Sequence, residues 1–400
     1  MHFTPERSGN APYTSSLARG LQREGHSVTV ITGYPHYPEW RRHAGYKGRS
    51  MHEMIDGVRV KRLNHYVPSN PTGLRRILME VSFGLHAILS KWQKPDLVIL
   101  VSPALLSTGL ASLRASVGKG LPTLVWVQDL YSRGMVETGS TGVGGKVAAY
   151  IESSILRSAD TVVAIHDRFR THITQSLGVD SQSVKVIRNW THLGHVAAYD
   201  VRATRKARGW ADSDVIVLHA GNMGMKQGLE NVVESARLAH QRRSLVKFVL
   251  MGDGNQRQKL ERIASGIDNI EFIDALPDDE FQQTLGAANV LLVNELPAVR
   301  DMSVPSKLTS YFNAGVVVVA ATDAESVTAA ELQASGGGMR VNPDDPAALL
   351  ATVELLGQDA VLARDLGAQG RKFRDETLSE APAIAHYNEY IISLATSRGR

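Results

Sequence analysis

The stretch HAGNMGMKQGLE, residues 219–230, sets Asn222, Gly224 and Lys226 in a glycine-rich turn between an apolar run and a segment with helical apolar spacing. In such a turn backbone N–H groups can approach an anion at the positive end of the following helix, and a lysine adds a point charge. Together they suit a diphosphate. After the next apolar run comes MGDG at 251–254. There Gly252 and Gly254 permit close backbone approach and Asp253 can accept from a base or a sugar hydroxyl, although a plain tight turn uses the same residues. SGNAPYT, residues 8–14, is a third small-residue loop, with Gly9 and Asn10 ahead of a helix that starts near Tyr13. In VRDMSVPSKLTSYFNAG, residues 299–315, Pro305 stands near a helix start with Ser303 or Ser306 as its cap, and Gly315 ends the helix. Lys307 opposes the helix dipole there, so it points to solvent, the commoner fate, or meets an anion.

Two titratable residues close apolar runs in the first half: Asp129 after PTLVWVQ and His166 in DTVVAIH. Each is placed for chemistry at the carboxyl end of a strand, and each could equally cap the next helix. His36, in YPHYPEW, lies in an aromatic, proline-rich loop that either lines a sugar or lipid site or packs on its own rings.

What positions these residues is an alternation of strands and helices. Apolar runs at 26–32, 58–63, 96–102, 122–129, 160–166 and 184–189 are rich in Val, Ile and Leu, as strands buried on both faces of a parallel sheet are. The pattern lapses over about 190–210 and resumes with runs at 215–221, 246–254, 270–274, 290–295, 316–321 and 339–342. The chain therefore reads as α/β, with a Rossmann-like domain over 1–190, a linker over 191–210 and a second Rossmann-like domain over 211–380. Residues 381–400 form a C-terminal helix expected to pack back on the first domain.

Composition narrows the function classes. Lys and Arg number 44 against 40 Asp and Glu, a formal +4 that is too diffuse for a nucleic-acid binder but compatible with an anionic small molecule or a membrane surface. With no cysteine, disulfides and thiolate chemistry are excluded. No run of 18 apolar residues and no signal-peptide pattern occurs, which leads us to expect a cytoplasmic protein, soluble or peripheral on the inner face of the plasma membrane. The segment PTGLRRILMEVSFGLHAILSKW, residues 71–92, places Arg75, Arg76 and Lys91 around an apolar stretch. It reads as an interfacial helix able to meet a lipid-linked acceptor or as a core helix with charged ends.

In order along nearly the whole chain, SGNAPYTSSLARGL, GHSVTVITGYPHYPEW, VWVQDLY, IRNW, HAGNMGMKQGLE, MGDG and SVPSKLTSYFNAG resemble a GT-B glycosyltransferase of family 4. Within that family they are most similar to the exopolysaccharide and O-antigen branch that includes colanic-acid and fucosaminyl transferases. The resemblance implies two Rossmann-like domains facing each other across a cleft and transfer of a sugar with retention from a UDP- or GDP-linked donor, with no metal or other cofactor. The acceptor is lipid-linked or a saccharide in cell-surface polysaccharide synthesis. It places Gly9 and Asn10 near the leaving phosphate or acceptor, Asn222, Gly224 and Lys226 around the diphosphate, and Gly252, Asp253 and Gly254 near the nucleotide. The helix start with Ser303, Pro305, Ser306, Lys307 and Ser310 faces the donor sugar and ribose. Asp129 orients the acceptor or assists its deprotonation, with His166 the second catalytic candidate. The sequence also departs from the family. Two glutamates common in relatives are here Met302 and Ser310, with Asp301 one residue from the first. A common arginine is Asn222, and a common lysine is Gln227 with Lys226 one place earlier. The absence of both glutamates keeps open a catalytically weak, sugar-nucleotide-binding scaffold, and the fold also leaves open transfer to a soluble inositol phosphate.

In relatives the first loop follows an apolar strand, whereas here only Met1-His2-Phe3-Thr4 precedes Pro5. Proline lacks the ladder donor, so the reading is that roughly eight residues of a first strand stand upstream of the given start, leaving a gap in the N-terminal sheet.

Overall fold

The structure is a computed structural model that describes residues 1–6, 9–37, 39–69, 73–117, 120–132, 143–190, 199–297, 299 and 306–397. Its elements in the first half are α1 (Ala11–Arg23), β1 (Thr29–Gly33), β2 (Ser50–Ile55), β3 (Val58–Leu63), α2 (Gly73–Leu89), β4 (Val98–Ser102), α3 (Leu105–Ser116), β5 (Thr123–Val127), α4 (Val143–Ser158), β6 (Thr161–Ala164), α5 (Asp167–Gln175) and β7 (Val184–Val186). There follow α6 (Val201–Ala207), β8 (Val215–Ala220), α7 (Glu230–Gln241), β9 (Val246–Met251), α8 (Arg257–Ile263), β10 (Ile270–Ile273), α9 (Asp278–Ala287) and β11 (Val290–Asn294). The chain ends with α10 (Ser306–Ala314), β12 (Val318–Ala321), α11 (Val327–Ser335), β13 (Gly338–Val341), α12 (Pro346–Gln358), α13 (Ala360–Thr377) and α14 (Glu380–Ser397). Two compact units result: Met1–His192 with Glu380–Arg400, and Leu193–Ser379.

The first unit holds two sheets, β1-β3-β2 and the parallel β4-β5-β6-β7. Among the described residues no ladder joins β1 to β4. Residues 1–4 run beside the end of β1, where the Met1 carbonyl accepts from Gly33 N at 3.1 Å and from Thr32 Oγ1 at 2.5 Å. β5 is buried at every residue, as a central strand covered on both faces must be. Its Trp126 stacks on Trp190, with ring centroids 5.9 Å apart, and meets Tyr387 of α14 edge-on at 5.3 Å. α14 also lies close on α1, since a Cβ at Gly20 would come 2.6 Å from Ile384. β2 pairs antiparallel with β3 through Asp56 and Gly57, both at positive φ (50° and 78°), the backbone of a tight two-residue hairpin.

His36 packs on rings. It is fully buried against His2, Trp40 and His65, which decides between the two readings of its loop. Glu6 ties this loop down: one carboxylate oxygen accepts from the amides of His36 and Tyr37 at 2.9 Å each, and the other meets His2 Nδ1 at 2.9 Å. His2, Glu6 and His36 are close enough to suggest a metal cluster. The carboxylate is already taken up by these bonds, however, and His36 Nδ1 by the Tyr34 carbonyl at 3.0 Å. Burial raises the Glu6 carboxyl, but the His2 hydrogen bond and charge and the two amides outweigh it and hold the group down to about 2. A depressed carboxyl stabilises the fold above the unfolded value of 4.5, and that contribution disappears as pH falls from there toward 2. Glu6→Gln should therefore be destabilising at pH 7, by about 1–3 kcal/mol for the loss of a charged hydrogen-bond acceptor. Thermal melts of parent and variant should converge on acidification, and a pH-independent difference would contradict the tie.

The second unit is one parallel sheet in the order β10-β9-β8-β11-β12-β13, with layers of core on both faces. Strand alternation divides it: Val217, Phe248, Leu250, Leu292 and Val319 face α7 and α12, while Ile216, Leu218, Val249, Leu291 and Val318 face α10. Successive strands run outward from β8 to β10 on one side, then restart beside β8 with β11. The strand order thus reverses between β8 and β11.

Candidate functional site

In a doubly wound sheet ligands lie beyond the carboxyl ends of the strands where the order reverses, here at β8 and β11. β8 turns at Gly221 (φ 124°), whose N–H donates to Met251 O at 2.8 Å. Met223 N donates to Asp253 O at 2.8 Å and accepts at its own carbonyl from Gln256 N at 3.0 Å, so the loops after β8 and β9 lie backbone against backbone. A Cβ at Gly252 would stand 2.2 Å from Gly221 O, and one at Gly254 2.4 Å from Met223 O. The close approach that these glycines allow is therefore that of one loop to the other. Asp253 is exposed and accepts from Gly254 N at 2.7 Å; with Gly254, Asn255, Arg257, Gln258 and Glu261 it lines an open polar concavity.

The loop after β8 is also stitched to the end of β11. Asn294 Nδ2 donates to Gln227 O and Gly228 O at 2.8 and 2.9 Å and accepts at Oδ1 from Asn231 Nδ2 at 2.9 Å, while Leu296 N donates to Lys226 O at 2.8 Å. Gln227 shapes the turn through Gly224 N, which it accepts at 3.1 Å. Asn222 and Lys226 are exposed on its outside.

Lys307, in the first turn of α10, turns inward rather than to solvent. Its Nζ lies 2.8 Å from His219 Nε2 on β8, and its Cε is 3.1 Å from where a Cβ on Gly221 would be. One turn later Tyr311 Oη accepts from Ala220 N at 2.8 Å and fixes the helix on the strand. Burial pushes Lys307 down to about 7, with Glu295 pulling it back. His219 is driven well below its ordinary value, first by burial and then by Lys307. Glu295, just past β11, is held by Thr328 Oγ1 at 2.9 Å and Thr322 Oγ1 at 2.5 Å. A cation that is neutral about half the time near pH 7, beside a helix N-terminus and a glycine turn, can gain a proton when an anion arrives. His219 and Glu295 were not among the residues singled out from sequence. Their signal was a polar residue closing an apolar run, in VIVLHA and in VLLVNE. Ser310 is half-buried on α10, three residues from Lys307 and so on the same side. Ser306 begins α10, and Gly315 (φ 69°) follows it. Asp301, Met302, Ser303 and Pro305 lie outside the described residues.

In the first unit, the carboxyl ends of β4 and β5 bring two candidates together around Ser102. Asn10 Nδ2 reaches Ser102 O at 3.4 Å, and Ser102 Oγ donates to the Asp129 carbonyl at 3.3 Å. Asn10 holds the N-cap position of α1 after Gly9 (φ 63°), without a capping side-chain bond. Asp129 is half-buried. His166, buried at the end of β6, caps α5 by accepting from Arg168 N at 3.1 Å.

Residues 8–190 match the family described as a glycosyl transferase 4-like domain, and residues 214–359 match glycosyl transferases group 1. The chain is 30% identical over 404 residues to WcaI of Escherichia coli (strain K12), a glycosyl transferase named for colanic acid biosynthesis, covering 97% of each chain. Among solved structures it is similar to sucrose-phosphate synthase from Thermosynechococcus elongatus, with TM-score 0.74 and 16% identity over 98% of this chain and 94% of that one. It is also similar to Anabaena HepE in complex with UDP-glucose, with TM-score 0.65 and 15% identity over 84% and 87%. With both halves matched in order and this identity sustained over nearly the full length of a relative, the chain belongs to the family 4 glycosyltransferases and has the GT-B fold.

Proposed function

We propose that this glycosyltransferase takes a sugar from a UDP- or GDP-linked donor held in the second unit and transfers it with retention to a lipid-linked or saccharide acceptor. The pathway is cell-surface polysaccharide synthesis on the cytoplasmic side of the membrane. The observation that carries the reading is the Lys307–His219 pair at the β8/β11 reversal, where the departing diphosphate would meet a cation, a helix N-terminus and the Gly221 turn. These groups can stabilise the leaving charge without a divalent ion. Asn222, Gly224 and Lys226 border the same turn, and Asp253 and Asn255 offer polar groups to the base or ribose. A solved relative of the same fold is in complex with UDP-glucose, and a sequence relative is named for colanic acid biosynthesis, which supports both donor class and pathway.

Asp129 and Asn10 are assigned to the acceptor. Asp129→Asn should lower turnover by roughly 10²–10⁴-fold, the range of a lost general base, while leaving UDP or GDP affinity within about twofold. An equal loss of nucleotide affinity would make the residue structural. The reading as a whole is tested by mass spectrometry of products from a panel of UDP- and GDP-sugars with a polyprenyl-diphosphate-sugar acceptor. A mass gain of one sugar on the lipid supports it. Nucleotide binding with no transfer to lipid, saccharide or water would point to a binding scaffold instead.

A further inference from the structure

The chain from Gln128 to Ser132, which leaves the carboxyl end of β5, alternates in burial. Gln128, Leu130 and Ser132 are closed off, whereas Asp129 and Tyr131 are half-buried. Three other parts of the first unit fasten this stretch. Gln128 exchanges hydrogen bonds with Asn189, past β7, donating from Nε2 at 3.1 Å and accepting from Asn189 Nδ2 at 2.8 Å. The Asp129 carbonyl accepts from the hydroxyl of Ser102, at the end of β4, at 3.3 Å. The third tie comes from Glu152 of α4. Its Oε1 accepts from Tyr131 N at 2.8 Å, and its Oε2 accepts from Ser132 N at 3.1 Å and from the Ser132 hydroxyl.

Glu152 is 2% exposed, a depth at which a carboxylate is costly unless donors replace its water. Burial pushes the group up, while the Ser132 and Tyr131 donors pull it back. An apolar side chain would fill the same place without that cost, but it could not hold two successive amides. Those amides set the course of the backbone just after Asp129, and Ser102 fixes the Asp129 carbonyl itself. Such precision suits a group that orients an acceptor or takes its proton, since a misplacement of about 1 Å can cost about 100-fold in rate.

Resting on the assignment of Asp129 to the acceptor, we propose that Glu152 is a positioning residue for the transfer reaction, acting through the Tyr131 and Ser132 amides to hold Asp129 in place. The test is a double-mutant cycle on Glu152→Gln and Asp129→Asn, read as transfer from the UDP- or GDP-sugar to the polyprenyl-diphosphate-sugar acceptor. Glutamine keeps the size but turns one acceptor oxygen into a donor facing an N–H. It should lower kcat about 10- to 100-fold, with nucleotide affinity and acceptor KM within about twofold of the parent. In the Asp129→Asn background the same change should cost less than about threefold, because the group being held no longer does the chemistry. A merely structural role, felt as loss of folded enzyme, would lower activity by the same factor in both backgrounds. Ser132→Ala removes only the hydroxyl tie and serves as the milder variant, with kcat lowered about three- to tenfold in the parent and unchanged beside Asp129→Asn. Parent-like kcat for Glu152→Gln next to an impaired Asp129→Asn, or equal factors in the two backgrounds, would overturn the proposal and leave Asp129 with the acceptor. Parent-like kcat for Asp129→Asn would overturn the acceptor assignment and this role of Glu152 together.

Discussion

Replacing Lys307 with methionine should weaken UDP or GDP binding roughly 10- to 100-fold, the loss of a charge-assisted hydrogen bond, while the melting temperature stays level or rises. The two halves of that result have different causes. Methionine keeps the stem that lies over Gly221 but removes an amine whose burial beside His219 is costly in the empty protein. Binding loses the half-buried cation described at the β8/β11 reversal. The pH dependence follows from the same geometry. Because burial holds Lys307 down to about 7, its amine is increasingly neutral above that pH in the free protein and must take up a proton when the diphosphate arrives. Affinity should therefore be flat below pH 7 and fall by up to about tenfold per unit above it, with proton uptake seen as buffer-dependent calorimetric heats. In the Lys307→Met protein both effects should vanish. If the variant binds nucleotide as the parent does, Lys307 is only a packing residue.

Alanine at Gly252 or Gly254 should be more damaging to the fold than any change on the exposed side of the loop. The added carbon would meet Gly221 O at 2.2 Å or Met223 O at 2.4 Å, with φ of 128° and 158°, outside the range that a side chain tolerates. Strain and overpacking of this kind cost about 1–3 kcal/mol each, so a total of about 3 kcal/mol is expected from urea unfolding. Nucleotide binding should fall as well, since the displaced partner is the Gly221 turn that carries Lys307. Alanine at Gly266, by contrast, has no neighbour within 4 Å, and its positive φ of 81° is the only burden. Similar losses at Gly254 and Gly266 would mean that loop-on-loop contact contributes nothing beyond backbone conformation.

These contrasts show which parts of the molecule were legible in its sequence. Parallel strands such as TLVWV and VIVLHA read directly, because burial on both faces leaves an unbroken apolar run. Their ends read less well: the run at 246–254 leaves the ladder at Met251, where the glycines begin packing on the neighbouring loop. β2 went unread because SMHEMI is half exposed and carries polar residues, although Asp56-Gly57 is a hairpin signal in plain view. The direction of Lys307 could not be read at all. Solvent is the commoner destination for a lysine at a helix start, and its partner His219 is 88 residues away, brought near only by the crossover from β8 to β11. Gly252 and Gly254 are sites of close approach of one loop to another, and composition alone does not say whether a ligand or another loop does the approaching.

In the proposed complex the diphosphate of the donor lies at the β8/β11 reversal against Lys307. A structure of the chain in complex with UDP or GDP tests it most directly. A phosphate oxygen should lie within hydrogen-bond distance of Lys307 Nζ, about 2.7–2.9 Å, above the Gly221 turn. A nucleotide whose phosphates sit elsewhere, with Lys307 still closed on His219, would contradict it.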